Sequence, residues 1–308
     1  MKIAIIGQQD FGKAVLEAFV ARGDEVAGVF CGVEKPGAKI DALREAATAR
    51  GLPVFQFPSL RSDEARAALR GLDADLGVMA YVLQFAPQDF VSIPKHGTIQ
   101  YHPSLLPRHR GPSSINWPIA LGEKHTGLTI FRPTDGLDEG PVILQKACEI
   151  GPDDTLGDVY FNKLFPLGVE ALLEAADLVT AGKHDEQAQD ESQATYEGWF
   201  AQAESQINWA NHVDQVYNLI RACNPAPGAW TTLGGTKAWL YDCRKLPMGK
   251  FTGSVNQPGD IERVTDTSIV IKSHGGMIEV LKLRGEGGKK MNAGDFARQH
   301  GLAPGKPA

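Results

Sequence analysis

Short apolar runs alternate with helix-period patterns along the first half of the chain. Residues 3–6 read as a buried strand. Phe11, Val15, Leu16, Phe19 and Val20 follow at helical spacing. The same alternation predicts strands at 25–30, 54–55, 76–81, 97–101, 128–131 and 142–147, with helices at 40–50, 61–69 and 114–121. One long amphipathic helix is expected over 155–180. Strands that alternate with helices imply an α/β fold, a mainly parallel Rossmann-like sheet with helices on both faces.

The pattern changes after residue 180. Residues 181–195 are rich in Gln, Asp, Glu and Ala with no apolar period, and read as an exposed linker. A helix over 213–221 follows, with Val213, Val216, Tyr217 and Ile220 on one face. Strands are then expected at 238–243, 253–256, 268–272 and 278–283, punctuated by Gly and Pro. That spacing suggests a small antiparallel β-barrel, OB-like in size. The expected organisation is a catalytic domain over 1–182, a linker over 183–203 and a barrel domain over 204–308.

Composition narrows the class. Apolar residues make up 43% of 308, enough for a real core, and charged residues 22%. No apolar run approaches the roughly 18–20 residues that span a bilayer. The opening run is too short for a signal peptide, so a cytoplasmic location without membrane association is expected. The four cysteines are widely separated and form no CxxC pair, so no metal site is expected. Charge is uneven. Residues 1–203 carry 18 Lys/Arg against 28 Asp/Glu, and residues 204–308 carry 13 against 9. The later part is therefore mildly basic, but no dense basic run marks a nucleic-acid surface.

Gly7 and Gly12 sit where the first and third glycines of a dinucleotide fingerprint would be, but Gln9 replaces the middle one. The second strand ends in Phe30-Cys31-Gly32, with no acid for a ribose hydroxyl. These glycines are therefore read as turn and packing residues, and NAD is not expected.

Two loops are richer in chemistry. Residues 100–111, Gln-Tyr-His-Pro-Ser-Leu-Leu-Pro-Arg-His-Arg-Gly, follow a strand and are full of helix breakers. Residues 132–140 offer Asp135, Asp138 and Glu139 between glycines. Active sites of open α/β sheets lie beyond strand ends, which favours His102 as a catalyst. A loop or core histidine beside ordinary Asp-Gly turns is the plain alternative.

His102-Pro103-Ser104-Leu105-Leu106-Pro107, followed by Leu137-Asp138-Glu139-Gly140, resembles the signature of the folate-dependent formyltransferases. Met1 to Gln8, Ile115-Asn116-Trp117, Ala194 to Gly198, Ile207-Asn208-Trp209 and Pro227 to Thr231 extend the likeness along nearly the whole chain. It is greatest to the hydrolase part of 10-formyltetrahydrofolate dehydrogenase. Methionyl-tRNA formyltransferase is also similar.

The resemblance implies removal of a formyl group from 10-formyltetrahydrofolate to leave tetrahydrofolate. The formyl group would go to water or to an acceptor. His102 and Asp138 match the family's catalytic His and Asp. Gln100 stands where its transferases carry Asn. Its extra methylene shifts the carboxamide by about 1–1.5 Å, and an error of that size can cost about a hundredfold in rate. Folate would lie against Tyr81, Val82, Leu83 and Gln84 and against Thr134, Asp135 and Gly136. Arg108 and Arg110 either hold an anionic acceptor or solvate the loop. A carrier protein or acceptor in trans fits the hydrolase-like reading. A tRNA acceptor is less favoured, and a sugar-nucleotide amine stays open. A folate-binding sensor without turnover is the alternative from another class.

Overall fold

The computed structural model describes residues 1–247, 257–305 and 307. They divide into two compact units. The first comprises Met1–Ser114, Thr126–Cys148 and Phe161–Glu197, and the second Ile115–His125, Glu149–Tyr160 and Gly198–Ala308.

The first unit begins as the apolar alternation requires. Strand β1 (Lys2–Gly7) leads through helix α1 (Gln9–Arg22) to β2 (Glu25–Phe30), then α2 (Ala42–Ala49), β3 (Val54–Phe55) and α3 (Asp63–Gly71). Strand β4 (Leu76–Ala80), helix α4 (Gln88–Val91) and β5 (Thr98–His102) follow. A short helix of the second unit, α5 (Asn116–Leu121), precedes β6 (His125–Phe131) and β7 (Val142–Glu149). The seven strands lie in the order β3-β2-β1-β4-β5-β6-β7. The first five are parallel, and β6 is antiparallel to β5. Alternate residues of β1 feed opposite faces. Ala4 and Ile6 pack with Ala65 and Leu69 of α3 and Phe90 of α4. Phe11 of α1 packs at 4.5 Å from the Tyr101 ring of β5. Gly7 is backed by the Ala80 carbonyl and Gly12 by Leu43, so both glycines serve close packing.

The long helix expected over 155–180 is interrupted. Helix α6 (Leu156–Val159) gives way to a π-helical turn, Tyr160–Leu164, before α7 (Phe165–Thr180). Pro166 explains the break, because it has no N–H to continue an i→i−4 ladder.

The second unit contains α8 (Val213–Ala222), β8 (Ala229–Leu233), β9 (Thr236–Leu240) and β10 (Cys243–Pro247). Then come β11 (Ile261–Val264), β12 (Ile269–Ser273), β13 (Gly276–Val280), β14 (Lys282–Gly285), β15 (Met291–Asn292) and α9 (Ala293–His300). The strands form two antiparallel sheets, β10-β13-β12-β11 and β15-β14-β9-β8. Their inward residues share one core with Val216 and Ile220 of α8 and Phe296 of α9. The single strands expected at 238–243 and 278–283 are each two strands in different sheets. The chain changes sheet at Tyr241-Asp242 and at Leu281, where Leu281 N–H donates to the Asp242 carbonyl (2.7 Å) and Tyr241 N–H to that of Lys282 (3.0 Å). Periodicity cannot reveal such a corner, since the apolar alternation runs straight through it. The strand expected at 253–256 lies outside the described residues.

Candidate active site

His102 is the last residue of β5 and is buried. Its Nε2 lies 2.9 Å from the His109 carbonyl oxygen. A carbonyl only accepts, so Nε2 is the donor in that contact. The other ring nitrogen, Nδ1, faces Asp138 Oδ2 at 3.6 Å. Asp138 is equally buried, and the same Oδ2 accepts the Gly111 N–H at 3.0 Å.

The route of Asp138 to this place follows from the antiparallel pairing. Phe131 of β6 sits opposite Gln100, two residues short of His102. The loop therefore starts beside Gln100 and must return to set Asp138 against the ring. Gly140 permits that return, since a Cβ there would overlap the Arg132 carbonyl. Gly111 is held at φ +103°, where a side chain would meet the Glu197 carbonyl.

Of the five described non-glycine residues in the left-handed region, two lie in these loops, His109 (φ 56°) and Asp138 (φ 56°), and a third, Tyr81 (φ 62°), directly follows β4. Such conformations cost about 1–3 kcal/mol each and persist only where surrounding contacts enforce them. Thr129, directly opposite His102 on β6, holds the loop that follows His102. The Thr129 hydroxyl accepts from Leu106 N–H (3.0 Å) and the Gln145 amide (2.9 Å), and donates to the Ser104 carbonyl (2.7 Å).

Gln100 lies two residues before His102 on one strand, so both side chains are on the same face. It is half-buried, and among the described residues its carboxamide makes no hydrogen bond. The candidate folate residues fall on two loops that touch. Tyr81 to Gln84 leave β4 beside the end of β1, where the strand order reverses and α/β sheets bind ligands. Asp135 Oδ1 accepts the Gln88 N–H at 3.0 Å, which ties the 81–88 stretch to the 132–140 loop. Tyr81 and Leu83 are exposed, Thr134 and Gly136 half-buried, and Val82 lines a small recess with Gly7, Gln8 and Leu60. The Gln84 amide is turned to the Phe57 carbonyl at 2.9 Å.

The two arginines part company. Arg108 is exposed. Arg110 is buried, and its guanidinium binds Gln189 and Glu191. The Glu191 carboxylate, its closest anionic partner, holds Arg110 above the ordinary arginine pKa. The stretch read as a linker thus contributes to the site's surroundings. Gln189, Thr195 and Glu197 were not foreseen as site residues, although the formyltransferase-like run 194–198 was the available signal. Among the described residues no cluster of His, Cys, Asp and Glu could hold a metal ion, and no helix is long and apolar enough to cross a membrane.

An imidazole at the end of a strand, facing a carboxylate on the neighbouring loop of an open α/β sheet, is an arrangement suited to acyl chemistry. Residues 1–176 match the formyl transferase family, and residues 200–301 match its C-terminal domain. The chain belongs to the formyl transferase family.

Mouse mitochondrial 10-formyltetrahydrofolate dehydrogenase is 37% identical over 308 residues, which cover 96% of this chain and 33% of that protein. The chain thus spans about a third of that relative's length. Methionyl-tRNA formyltransferase from Heliobacterium modesticaldum is 34% identical over 314 residues, covering 99% of both chains. The fold is similar to HypX from Aquifex aeolicus in complex with tetrahydrofolic acid. There the TM-score is 0.67 at 18% identity, over 97% of this chain and 47% of HypX.

Proposed function

We propose that this chain removes the formyl group from 10-formyltetrahydrofolate and releases tetrahydrofolate, with water as the acceptor. The observation that carries this reading is the buried pair of His102 Nδ1 and Asp138 Oδ2, 3.6 Å apart, in a chain that aligns over 96% of its length with a 10-formyltetrahydrofolate dehydrogenase. In this reading Asp138 orients the water and takes its proton as the oxygen attacks the formyl carbon. The tetrahedral intermediate carries an oxyanion, which the His102 ring and the Gln100 carboxamide stabilise. The bond from carbon to nitrogen then breaks, the nitrogen receives a proton by way of His102, and formate leaves. Tyr81, Val82, Leu83, Gln84, Thr134, Asp135 and Gly136 form the folate surface.

Protein incubated with 10-formyltetrahydrofolate labelled at the formyl carbon is the test. Labelled formate is expected together with tetrahydrofolate. His102→Ala and Asp138→Ala should each lower the rate by about 10²–10⁴ while folate binding persists. No tetrahydrofolate from the unaltered protein would sink the reading, and folate binding without turnover would leave a sensor. A second reading has its own support. The 34% identical methionyl-tRNA formyltransferase matches end to end, so a charged initiator tRNA is the alternative acceptor. Label recovered on the tRNA instead of in formate would select it.

A further inference from the structure

A strap over 187–197 is bonded to both loops of the candidate site. At one end the Gln189 amide nitrogen donates to two carbonyl oxygens, those of Asp138 and Gly140, each at 2.8 Å. The Gln189 carbonyl oxygen accepts from Arg110 Nε (3.2 Å) and Nη2 (2.8 Å). Arg110 in turn reaches both oxygens of Glu191, at 3.0 and 2.7 Å. At the other end Thr195 Oγ1 accepts the His109 N–H at 2.8 Å, and Glu197 Oε2 lies 3.2 Å from His109 Nδ1. His109 is the residue whose carbonyl holds His102 Nε2.

A primary amide is suited to the place Gln189 occupies. It has two N–H bonds on one nitrogen and an acceptor oxygen in the same plane. Both hydrogens meet carbonyls of the 138–140 turn, while the oxygen meets a buried guanidinium. A carboxylate there would repel both carbonyls, and an aliphatic side chain would leave them and Arg110 short of partners. Asp138 needs this support because its backbone sits at φ 56°, outside the comfortable range of a residue with a side chain.

We infer that Gln189 is the positioning residue for Asp138: its amide, anchored by Arg110, orients the 138–140 turn so that the Asp138 carboxylate faces the His102 ring. The inference rests on the proposed reading that these two groups do the chemistry. Without the amide the turn relaxes, and an error of about 1 Å at Asp138 costs about a hundredfold in rate.

The experiment compares Gln189→Ala with Gln187→Ala. Gln187 lies on the same strap, with an exposed side chain, and among the described residues its hydrogen bonds are those of its backbone with Val142. Tetrahydrofolate release gives kcat and KM, and the ring signals of His102 in isotope-labelled protein report the site without turnover. Gln189→Ala should lower kcat by about tenfold to a hundredfold with KM within about threefold, and should move the His102 signals. Gln187→Ala should do neither. Unmoved His102 signals in Gln189→Ala overturn the inference, as does an equal kcat loss in Gln187→Ala. Should the unaltered protein release no tetrahydrofolate, the proposed function fails by itself, and the His102 signals alone decide the positioning role. If Gln189→Ala does not fold, Arg110→Lys replaces it under the same criteria, since lysine keeps the charge but cannot bond Gln189 through two nitrogens.

Discussion

Replacing Thr129 with Val tests how the His102 loop is held. Thr129 is fully buried, and Val changes its hydroxyl to a methyl with little change of shape. The hydroxyl serves three groups: the Leu106 N–H, the Ser104 carbonyl and the Gln145 amide. Gln145 keeps a second partner, the Leu106 carbonyl at 2.8 Å. The Leu106 N–H and the Ser104 carbonyl lose this partner inside the protein. Leaving a buried polar group unsatisfied costs about 1–3 kcal/mol, so two such groups place the expected loss near 3 kcal/mol. For a unit of this size that corresponds to a fall in melting temperature of roughly 6–12 °C.

Thermal and urea unfolding of Thr129→Val beside Thr129→Ser provide the assay. Serine keeps the hydroxyl and removes only a methyl, so its loss should be about 1 kcal/mol. Equal losses for Val and Ser would mean that packing, not hydrogen bonding, holds the loop. A Val variant within about 0.5 kcal/mol of the unaltered protein would refute the reasoning altogether.

Two further predictions concern the same unit. Gly140→Ala should unfold at lower temperature and lose turnover, because the new Cβ would overlap the Arg132 carbonyl and displace the turn that carries Asp138; unchanged melting and activity would contradict this. Glu34 accepts hydrogen bonds from Gln56 and the Asp41 N–H and pairs with Arg44, and with Gln56 as the largest cause its pKa falls from 4.5 to about 2. Its contribution is therefore complete above the unfolded value of 4.5 and disappears as pH falls through about 2. Glu34→Gln should accordingly be less stable than the unaltered protein at pH 7, with the gap closing toward pH 2, and a gap independent of pH over that range would show that the carboxylate contributes nothing.

Much of the first unit was legible in the residue pattern. The strand at 25–30 has the same limits in the structure, and the short strand at 54–55 is also present. The inner residues of the 25–30 strand are mostly buried, so its apolar run shows in the sequence, with the polar Asp24-Glu25 pair at its start. The long helix failed at Pro166, where the missing donor outweighed the apolar period. The sheet corners at Tyr241-Asp242 and Leu281 were invisible because they preserve the alternation they interrupt. Residues 181–195 read as a linker because their side chains are mostly polar, yet polarity does not tell whether a group bonds water or a neighbouring loop.

His102 and Asp138 divide along the same line. The sequence by itself determined the α/β class of the first unit, the antiparallel second unit and the two loops that hold the candidate pair, because these depend on local periodicity and on motifs contiguous in the chain. Only the tertiary structure decided that Asp138 returns to within 3.6 Å of His102, that Arg110 turns inward, and that Gln189, 51 residues from Asp138, supports its backbone. Those contacts depend on the antiparallel pairing of β6 with β5 and on hydrogen bonds between residues far apart in the chain, and side-chain spacing carries no record of either.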